Sequence, residues 1–495
     1  MPPGAGVGSS GSDEDGLKGR AVNNGLWALV TLLGNRAISF LTVAILSRIL
    51  FDDYGAVAAL MTVLFFLEVG LDLGLGAAVI YEQEEGQSER VDVAFTANLA
   101  VAGLLAVVVF VAAPALGAFF HVEEHDDMFR LLAAAVFARG FFQIPDALLK
   151  RDLRFRSRTA VTFGRAVTRM AVAVGLALAG MGVMAAAWGL FAAEVVASVG
   201  VMIQTRYRPR LSVDWPVMQS MLRFAGAILG IRLAGQLAVN GDYLVVGRQL
   251  GDTALGFYYN AFRLPELTIL AVCLAFSDVA LPVFSRAREG GASRLQTGML
   301  SSLQLLCLYG FPAAVGLAIN AESAVQVVFG SGWGPSVEPM IAVSLAAGVM
   351  AIAFASGDIY AATGRPNLLL AMIIVHIPIQ FAILLVGSNW GIGGVAWAQL
   401  VSMVIAVSVR IVVAARVIEV SVRKQARSMV PGVVAAGGVL LLAFPTTLVL
   451  DPGLVSLTLG TLAGGVGAVV MVRAFAPATF HEVAAMVLGV VRRAR

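Results

Sequence analysis

The chain has 495 residues, of which 59% are hydrophobic and 13% charged, and its formal net charge is +3. Soluble domains carry about 25% charged residues. Together with a mean hydropathy of +0.87, the composition excludes a soluble globular protein and predicts a polytopic membrane protein. The small net charge indicates no nucleic-acid partner. The two cysteines and four histidines show no spacing typical of a metal site, so the sequence predicts neither a metal nor a cofactor.

In chain order, a Gly/Ser-rich segment, 1–21, predicts a disordered cytoplasmic tail. It is followed by about fourteen apolar segments, each near the 20 residues that span a bilayer. Six predicted segments form the first half: 25–49, 56–81, 93–119, 129–149, 159–180 and 183–203. Six form the second half, at 222–246, 255–284, 299–319, 336–361, 368–386 and 391–416, and two more follow at 429–449 and 454–474. The predicted fold class is therefore all-α.

The two halves resemble each other. Residues 45–60 match 245–261, with Arg48, Asp52 and Gly55 answering Arg248, Asp252 and Gly256. A repeated pattern of this kind predicts two pseudo-symmetric six-helix lobes. The predicted parts are a lobe at 22–205, a cytoplasmic linker at 206–218, a lobe at 219–417, a second linker at 418–428, two additional helices at 429–475 and a cytoplasmic tail at 476–495.

Basic residues decide the predicted orientation. When alternate loops are assigned to opposite sides, one side collects nearly all the lysines and arginines, and the other essentially Arg48, Arg130 and Arg248. Cytoplasmic loops carry the excess of positive charge. The sequence therefore predicts that both termini are cytoplasmic.

Charged residues inside predicted membrane helices cost about 2.5 to 3.5 kcal/mol each, so they indicate a hydrated cavity. Guanidinium groups form planar forks that suit phosphate oxygens. The predicted substrate cavity contains Arg36, Arg139, Arg165, Arg169, Arg232, Arg263 and Glu266. Asp72 and Asp242 are candidates for coupling transport to an ion.

Structural explanations compete with several of these assignments. Arg263 and Glu266 are three residues apart, so a local salt bridge explains them as well as a ligand does. Arg165 and Arg169 share a helix face, and two like charges there favour a cavity lining. Three further charges, Asp146, Asp358 and Arg410, lie near cytoplasmic helix ends, where snorkelling to the interface is the favoured explanation. The sequence shows no nucleophile elbow, phosphate loop or exposed carboxylate pair, which predicts a protein that is not an enzyme.

Several segments carry a family resemblance. They are ILSRILFDDYGAVAAL (45–60), LDLGLGAAVIYEQE (71–84), PDALLKRDLRFRS (145–157), NGDYLVVGRQLGDTALGFYYNAFRLPELTI (240–269), FGSGWGPSVEPM (329–340) and AATGRPNLLL (361–370). Their order and spacing resemble the polysaccharide transporter family of oligosaccharide flippases, within the multidrug/oligosaccharidyl-lipid/polysaccharide flippase superfamily. Positions typical of that family are Asp72, Asn240, Asp242, Arg248 and Arg263.

The resemblance implies a flippase in the bacterial inner membrane. Its implied substrate is a polyprenyl-diphosphate-linked oligosaccharide, turned from the cytoplasmic to the outer leaflet by alternating access for surface or exopolysaccharide assembly. Implied partners are membrane lipid, a polysaccharide polymerase and chain-length proteins. Two alternatives stay open at this point: export of a small molecule or drug, and a polysaccharide polymerase or ligase. The sequence does not specify the sugars, the coupling ion or the oligomeric state.

Overall fold

The computed structural model describes residues 34–71, 87–289 and 292–494. Helices make up most of this part of the chain, and it contains no β-strand. The helices up to the first linker are α1 (34–49), α2 (Tyr54–Leu71), α3 (Gln87–Phe120), α4 (Asp126–Gly140), α5 (Gln143–Arg151), α6 (Phe155–Leu178) and α7 (Met184–Thr205). The fold is all-α, as predicted.

Eleven further α-helices follow in the part of the chain that the structure describes. They are α8 (Trp215–Leu250), α9 (Asp252–Pro265), α10 (Ala271–Glu289), α11 (Ala292–Ile319), α12 (Ala321–Val328), α13 (Val337–Ala362), α14 (Pro366–Gly387), α15 (Gly391–Val417), α16 (Val422–Val449), α17 (Leu454–Phe475) and α18 (Pro477–Ala494). A π-helical turn, Glu266–Leu270, joins α9 to α10 directly after Pro265. Proline lacks an amide hydrogen and disturbs the helical ladder, which accounts for the change of pitch there.

Within the described residues, eleven stretches are long and apolar enough to cross a membrane. One of them, Asn367–Val417, contains α14 from its second residue onward and all of α15. Helices α1 and α8 lie outside these eleven, although each coincides with a segment predicted from the sequence. The chain is a multi-pass membrane protein, and the count of fourteen spans stays a prediction.

The described residues form two compact units. The first contains the residues up to Leu50, Val63–Ala118 and Val122–Leu233, and the second contains Phe51–Thr62, Phe119–His121 and the residues from Ala234. The division falls inside α8, whereas the predicted lobes are separated by a linker at 206–218. Helix α8 begins at Trp215, within that predicted linker. Likewise α16 begins at Val422, so the end of the predicted linker 418–428 is helical.

In the first unit, apolar side chains of α3 and α5 pack around Phe95 and Ile144, which are almost fully buried. The connection after α7 is fixed to this core, since the Tyr207 hydroxyl donates a hydrogen bond to Asp92. Burial, reinforced by that hydrogen bond, raises the pKa of the Tyr207 phenol well above its ordinary value. The connection is therefore anchored at a defined place on the first unit.

In the second unit, the two segments related by the sequence repeat meet each other. A Cβ added to Gly256 would lie 3.1 Å from the amide nitrogen of Gly55, and a Cβ added to Gly55 would collide with the carbonyl of Asp252. Only glycine, whose side chain is a single hydrogen atom, allows the first turns of α2 and α9 to approach this closely. Beside them the buried Trp333 ring lies 5.3 Å, between centroids, from the rings of Phe51, Tyr54 and Phe257.

Candidate functional site

A network of buried charges occupies the first unit. Arg139 of α4 donates through Nη1 to Oε1 of Glu68 on α2, at 2.6 Å, and lies 3.5 Å from Oε1 of Glu194 on α7. Arg165 of α6 binds Glu194 through Nη2 and approaches Glu68 to 4.0 Å. Arg169, one helical turn further along α6, acts electrostatically on both Glu68 and Arg165. Four helices therefore contribute charges to one site.

Pairing with opposite charges on other helices explains why these charges can stay inside. The Glu194 side chain is only 5% exposed and the Arg139 side chain 13%. A buried charge is tolerated when an opposite charge and hydrogen bonds accompany it. The two glutamates supply that compensation, so the like charges of Arg165 and Arg169 do not by themselves require a ligand.

Arg165 retains hydrogen-bonding capacity. Of its three nitrogens, only Nη2 bonds to a residue that the structure describes. The guanidinium also lies 5.9 Å from the centroid of the Phe142 ring, and 26% of the side chain is exposed. It can therefore offer further donors to an incoming anion without leaving Glu194.

Asp146 is buried rather than snorkelled. Its carboxylate is 2.8 Å from Nε of Arg158 and 2.8 Å from Nζ of Lys150, and the residue is 3% exposed. The snorkelling interpretation of Asp146 is therefore wrong. Two basic residues neutralise the carboxylate in place, because the chain turns back between α5 and α6 and brings Arg158 over it.

A second polar group lies in the second unit, around Asp242 of α8. Asp242 is fully buried, and its Oδ2 accepts a hydrogen bond of 2.9 Å from the hydroxyl of Tyr258 on α9. Its Oδ1 accepts one of 3.0 Å from the amide of Tyr243. The carboxylate thus has two donors, the amide of the next residue on α8 and the Tyr258 hydroxyl of α9, which satisfies it without a charged partner.

Arg263 lies further along α9 than Tyr258, near the end of the helix. It is 2.7 Å from Oε2 of Glu266, donates to the Tyr243 hydroxyl at 3.2 Å, and stacks over the Tyr259 ring at 4.0 Å from its centroid. The local salt bridge considered from the sequence is therefore present. It lies at the π-helical turn, where an altered helix pitch is frequent at functional sites.

The remaining predicted residues are spread over the chain. Arg36 is half-buried on α1 and forms no salt bridge with a residue that the structure describes. Arg232 on α8 is exposed. Asp72 lies outside the described residues. The structure thus brings Arg139, Arg165 and Arg169 together in one unit and Arg263, Glu266 and Asp242 in the other.

Glu68 and Glu194 lie inside predicted membrane helices, but neither is among the predicted cavity residues. Sequence reasoning assigned no role to Tyr243, Tyr258 and Tyr259. The available signal for the glutamates was a carboxylate inside an apolar helix, which calls for a partner of opposite charge. The tyrosines gave no such signal, since aromatic residues are frequent in membrane helices. Within the described part of the chain, no three His, Cys, Asp or Glu residues form a group suited to a metal ion.

Comparison with known proteins decides the family. The sequence model of a family described as "Polysaccharide biosynthesis protein" matches residues 45–338, more than half of the chain. The chain belongs to this family. It is 30% identical over 308 residues to the succinoglycan biosynthesis transport protein ExoT of Rhizobium meliloti, a match that covers 62% of each chain. The match therefore spans less than two thirds of that relative.

Solved structures show which fold the family member adopts. The lipid II flippase MurJ in an inward closed conformation superposes with a TM-score of 0.76 at 13% identity, over 91% of this chain and 98% of that one. A multidrug resistance MATE transporter of the MOP superfamily in an inward-facing conformation gives 0.65 at 16% identity, over 78% and 94% of the two chains. At these identities the likeness shows a shared fold.

Proposed function

We propose that this family member is a flippase for polyprenyl-diphosphate-linked oligosaccharides, which it moves from the cytoplasmic to the outer leaflet of a bacterial inner membrane. Membership of a polysaccharide biosynthesis family supports the pathway. A fold shared with a lipid II flippase supports transport rather than catalysis. A polysaccharide polymerase and chain-length proteins would then act on the product.

The observation that carries the proposal is the position of Arg165. Its guanidinium is held by Glu194, while Nε and Nη1 form no hydrogen bond with a described residue. A diphosphate that leaves water must exchange its hydration for other donors, and an arginine already fixed in orientation loses little further entropy on binding. Half-buried Arg36 offers a second guanidinium in the same unit.

The energetics favour outward movement of an anion. With the inside of the cell negative, each negative charge moved outward gains about 2.3 kcal/mol per 100 mV. A coupled ion is then not required for export, and Asp242, already satisfied by Tyr258 and the Tyr243 amide, needs no bound cation. Dissipating the potential across proteoliposomes should therefore slow flipping, and an unchanged rate would contradict the electrogenic mechanism.

The proposed function is tested by flipping in proteoliposomes, with a fluorescent prenyl-diphosphate-linked sugar as the probe. Arg165→Gln and Arg36→Gln should each lower the initial rate about tenfold or more, the effect of losing one charge-assisted hydrogen bond. Arg130→Gln is the matched control, since Arg130 belongs to an exposed pair with Asp127. Melting temperatures of the purified variants separate lost transport from lost folding.

Two outcomes would overturn the proposal. Wild-type protein that exports a cationic dye but does not flip the lipid-linked sugar would be a drug exporter. A host lacking the gene that still displays completed repeat units on its outer leaflet, but does not polymerise them, would place the protein at a later step. Repeat units trapped on the cytoplasmic leaflet would support the flippase.

A further inference from the structure

A separate cavity of about 300 Å³ lies wholly within the second unit. Helices α8, α13, α14 and α15 line it, with Ala238, Met350, Val375 and Met403 among the apolar contributors. Of its fifteen lining residues, only His376 and Arg410 are not apolar. The volume is at the lower end of the range for small-molecule sites. This cavity therefore has an apolar wall and, at one end, two basic residues, His376 and Arg410, which we call the basic end.

The two basic residues of the cavity lie near each other, and each is held in place by a hydrogen bond. Arg410 acts electrostatically on His376, which places them near each other across α14 and α15. The backbone of Arg410 is fixed, because its carbonyl accepts a hydrogen bond of 2.8 Å from the Tyr360 hydroxyl. His376 is fixed too, since its Nε2 lies 3.1 Å from the Ser402 hydroxyl oxygen. Three helices thus hold the basic end in place.

Arg410 differs from the arginines of the first unit in its lack of a counter-charge. It is half-buried, and no salt bridge joins it to a side chain that the structure describes. Arg139 and Arg165, by contrast, each contact glutamate. A guanidinium in an apolar surround is stable only with a compensating anion or with access to water. The end of α15 at Val417 is seven residues away, about 10 Å along the helix.

We propose that this cavity binds an anionic lipid of the bilayer, with one aliphatic chain along the apolar wall and a phosphate-type headgroup on Arg410 and His376. The apolar side chains of α13, α14 and α15 match a hydrocarbon chain. The guanidinium provides a planar pair of donors for phosphate oxygens, and the imidazole fixed by Ser402 adds a third. A free inorganic anion would leave most of the apolar wall uncovered.

This inference is independent of the proposed transport function. It concerns residues of the second unit, whereas Arg165 and Arg36 belong to the first. A resident lipid need not be a transported one. A failure here would leave the flippase proposal unchanged.

The test is native mass spectrometry of the full-length protein released from a neutral detergent. Three probes are compared: dodecyl phosphate, dodecanol and inorganic phosphate. Wild-type protein should retain dodecyl phosphate and neither of the others. Arg410→Gln should weaken its binding about tenfold or more, as expected for the loss of a charge-assisted hydrogen bond. Arg416→Gln, an exposed arginine in the last turn of the same helix, should leave binding unchanged.

Two further variants test the volume of the cavity and the charge at its basic end separately. Ala406→Phe fills the cavity without changing its charge and should also remove the lipid. Arg410→Lys preserves the charge and should retain binding if Arg410→Gln fails to fold. Equal retention of dodecanol would show a cavity without anion selectivity, and equal retention of inorganic phosphate would show a free-anion site. Either result, or undiminished binding by Ala406→Phe, would overturn the proposal.

Discussion

Individual glutamates determine whether the arginines of the first unit can remain inside the membrane. Glu194 lies between Arg139 and Arg165, and its side chain is 5% exposed. Burial removes water from its charge, which costs free energy, and contact with two guanidinium groups offsets that cost. Removing the carboxylate would leave the arginines facing each other with Glu68 as their nearest described counter-charge. Arg165, which we propose for substrate binding, thus also belongs to the network that affects stability.

We expect Glu194→Gln to lower the stability of the purified protein by about 3 kcal/mol, as is usual when one partner of a buried pair is neutralised. The melting temperature in detergent is the readout. Asp127→Asn is the matched control, because it removes a carboxylate whose side chain is 75% exposed, and such pairs contribute about 1 kcal/mol or less. Equal losses in the two variants would show that the network does not stabilise the first unit.

The Asp242 group makes a separate prediction. Tyr258→Phe removes the hydroxyl that donates to Oδ2 of the fully buried Asp242, which should destabilise the protein by about 1 to 3 kcal/mol because an acceptor is left unpaired. Tyr309→Phe is the comparison, because it removes the hydroxyl of an exposed tyrosine that donates to the Thr268 carbonyl and leaves no buried carboxylate short of a donor. The melting temperature of Tyr258→Phe should fall below that of Tyr309→Phe. A Tyr258→Phe protein as stable as the wild type would contradict this role.

At the scale of helices, small residues decide which elements pack closely. Helices α16 and α17 make extensive contact along their length, and Gly438 and Gly467 lie backbone to backbone where they cross. Without side chains at the crossing, the two backbones gain dispersion contacts that larger residues would prevent. Glycine is otherwise unfavourable in a helix interior, so its presence at both positions has a packing reason.

Gly438→Ala should therefore destabilise the packing of α16 on α17, because the new Cβ would overlap the carbonyl of Gly467. Overpacking of this kind costs about 1 to 3 kcal/mol. Its neighbour provides the control, since a Cβ at Gly437 meets no atom within 4 Å. Gly437→Ala should leave the melting temperature unchanged or raise it slightly. If both variants melt alike, the close crossing does not contribute to stability.

For the whole molecule, the distribution of basic residues predicts which side each loop faces. The start of α4 and the start of α16 should lie on opposite sides of the membrane. Both are exposed at Asp127 and Arg423. The two native cysteines, Cys273 and Cys307, are free thiols and are buried. We therefore expect them to react little with a labelling reagent.

Cysteines introduced as Asp127→Cys and Arg423→Cys should behave differently in intact cells. A membrane-impermeant maleimide should label the first and not the second, whereas both should react after the membrane is opened. Labelling of Arg423→Cys in intact cells would invert the predicted topology and place the termini outside.

Sequence and tertiary structure answer different questions about this protein. The all-α membrane class and the position of each predicted apolar segment follow from the sequence, because the length of an apolar run is a local property. The pairing of Arg263 with Glu266 was also foreseeable, since the two are three residues apart on one helix.

Only the tertiary structure decided which charges meet across helices. Glu68 is 71 residues from Arg139, and Glu194 is 55 residues from it, and nearly uniform apolar faces leave the rotation of each helix ambiguous in the sequence. The contact of Gly55 with Gly256 and the cavity that places Arg410 beside His376 likewise depend on how helices pack. Composition and spacing therefore specify the helices and their charges, whereas the packing of distant helices specifies the sites.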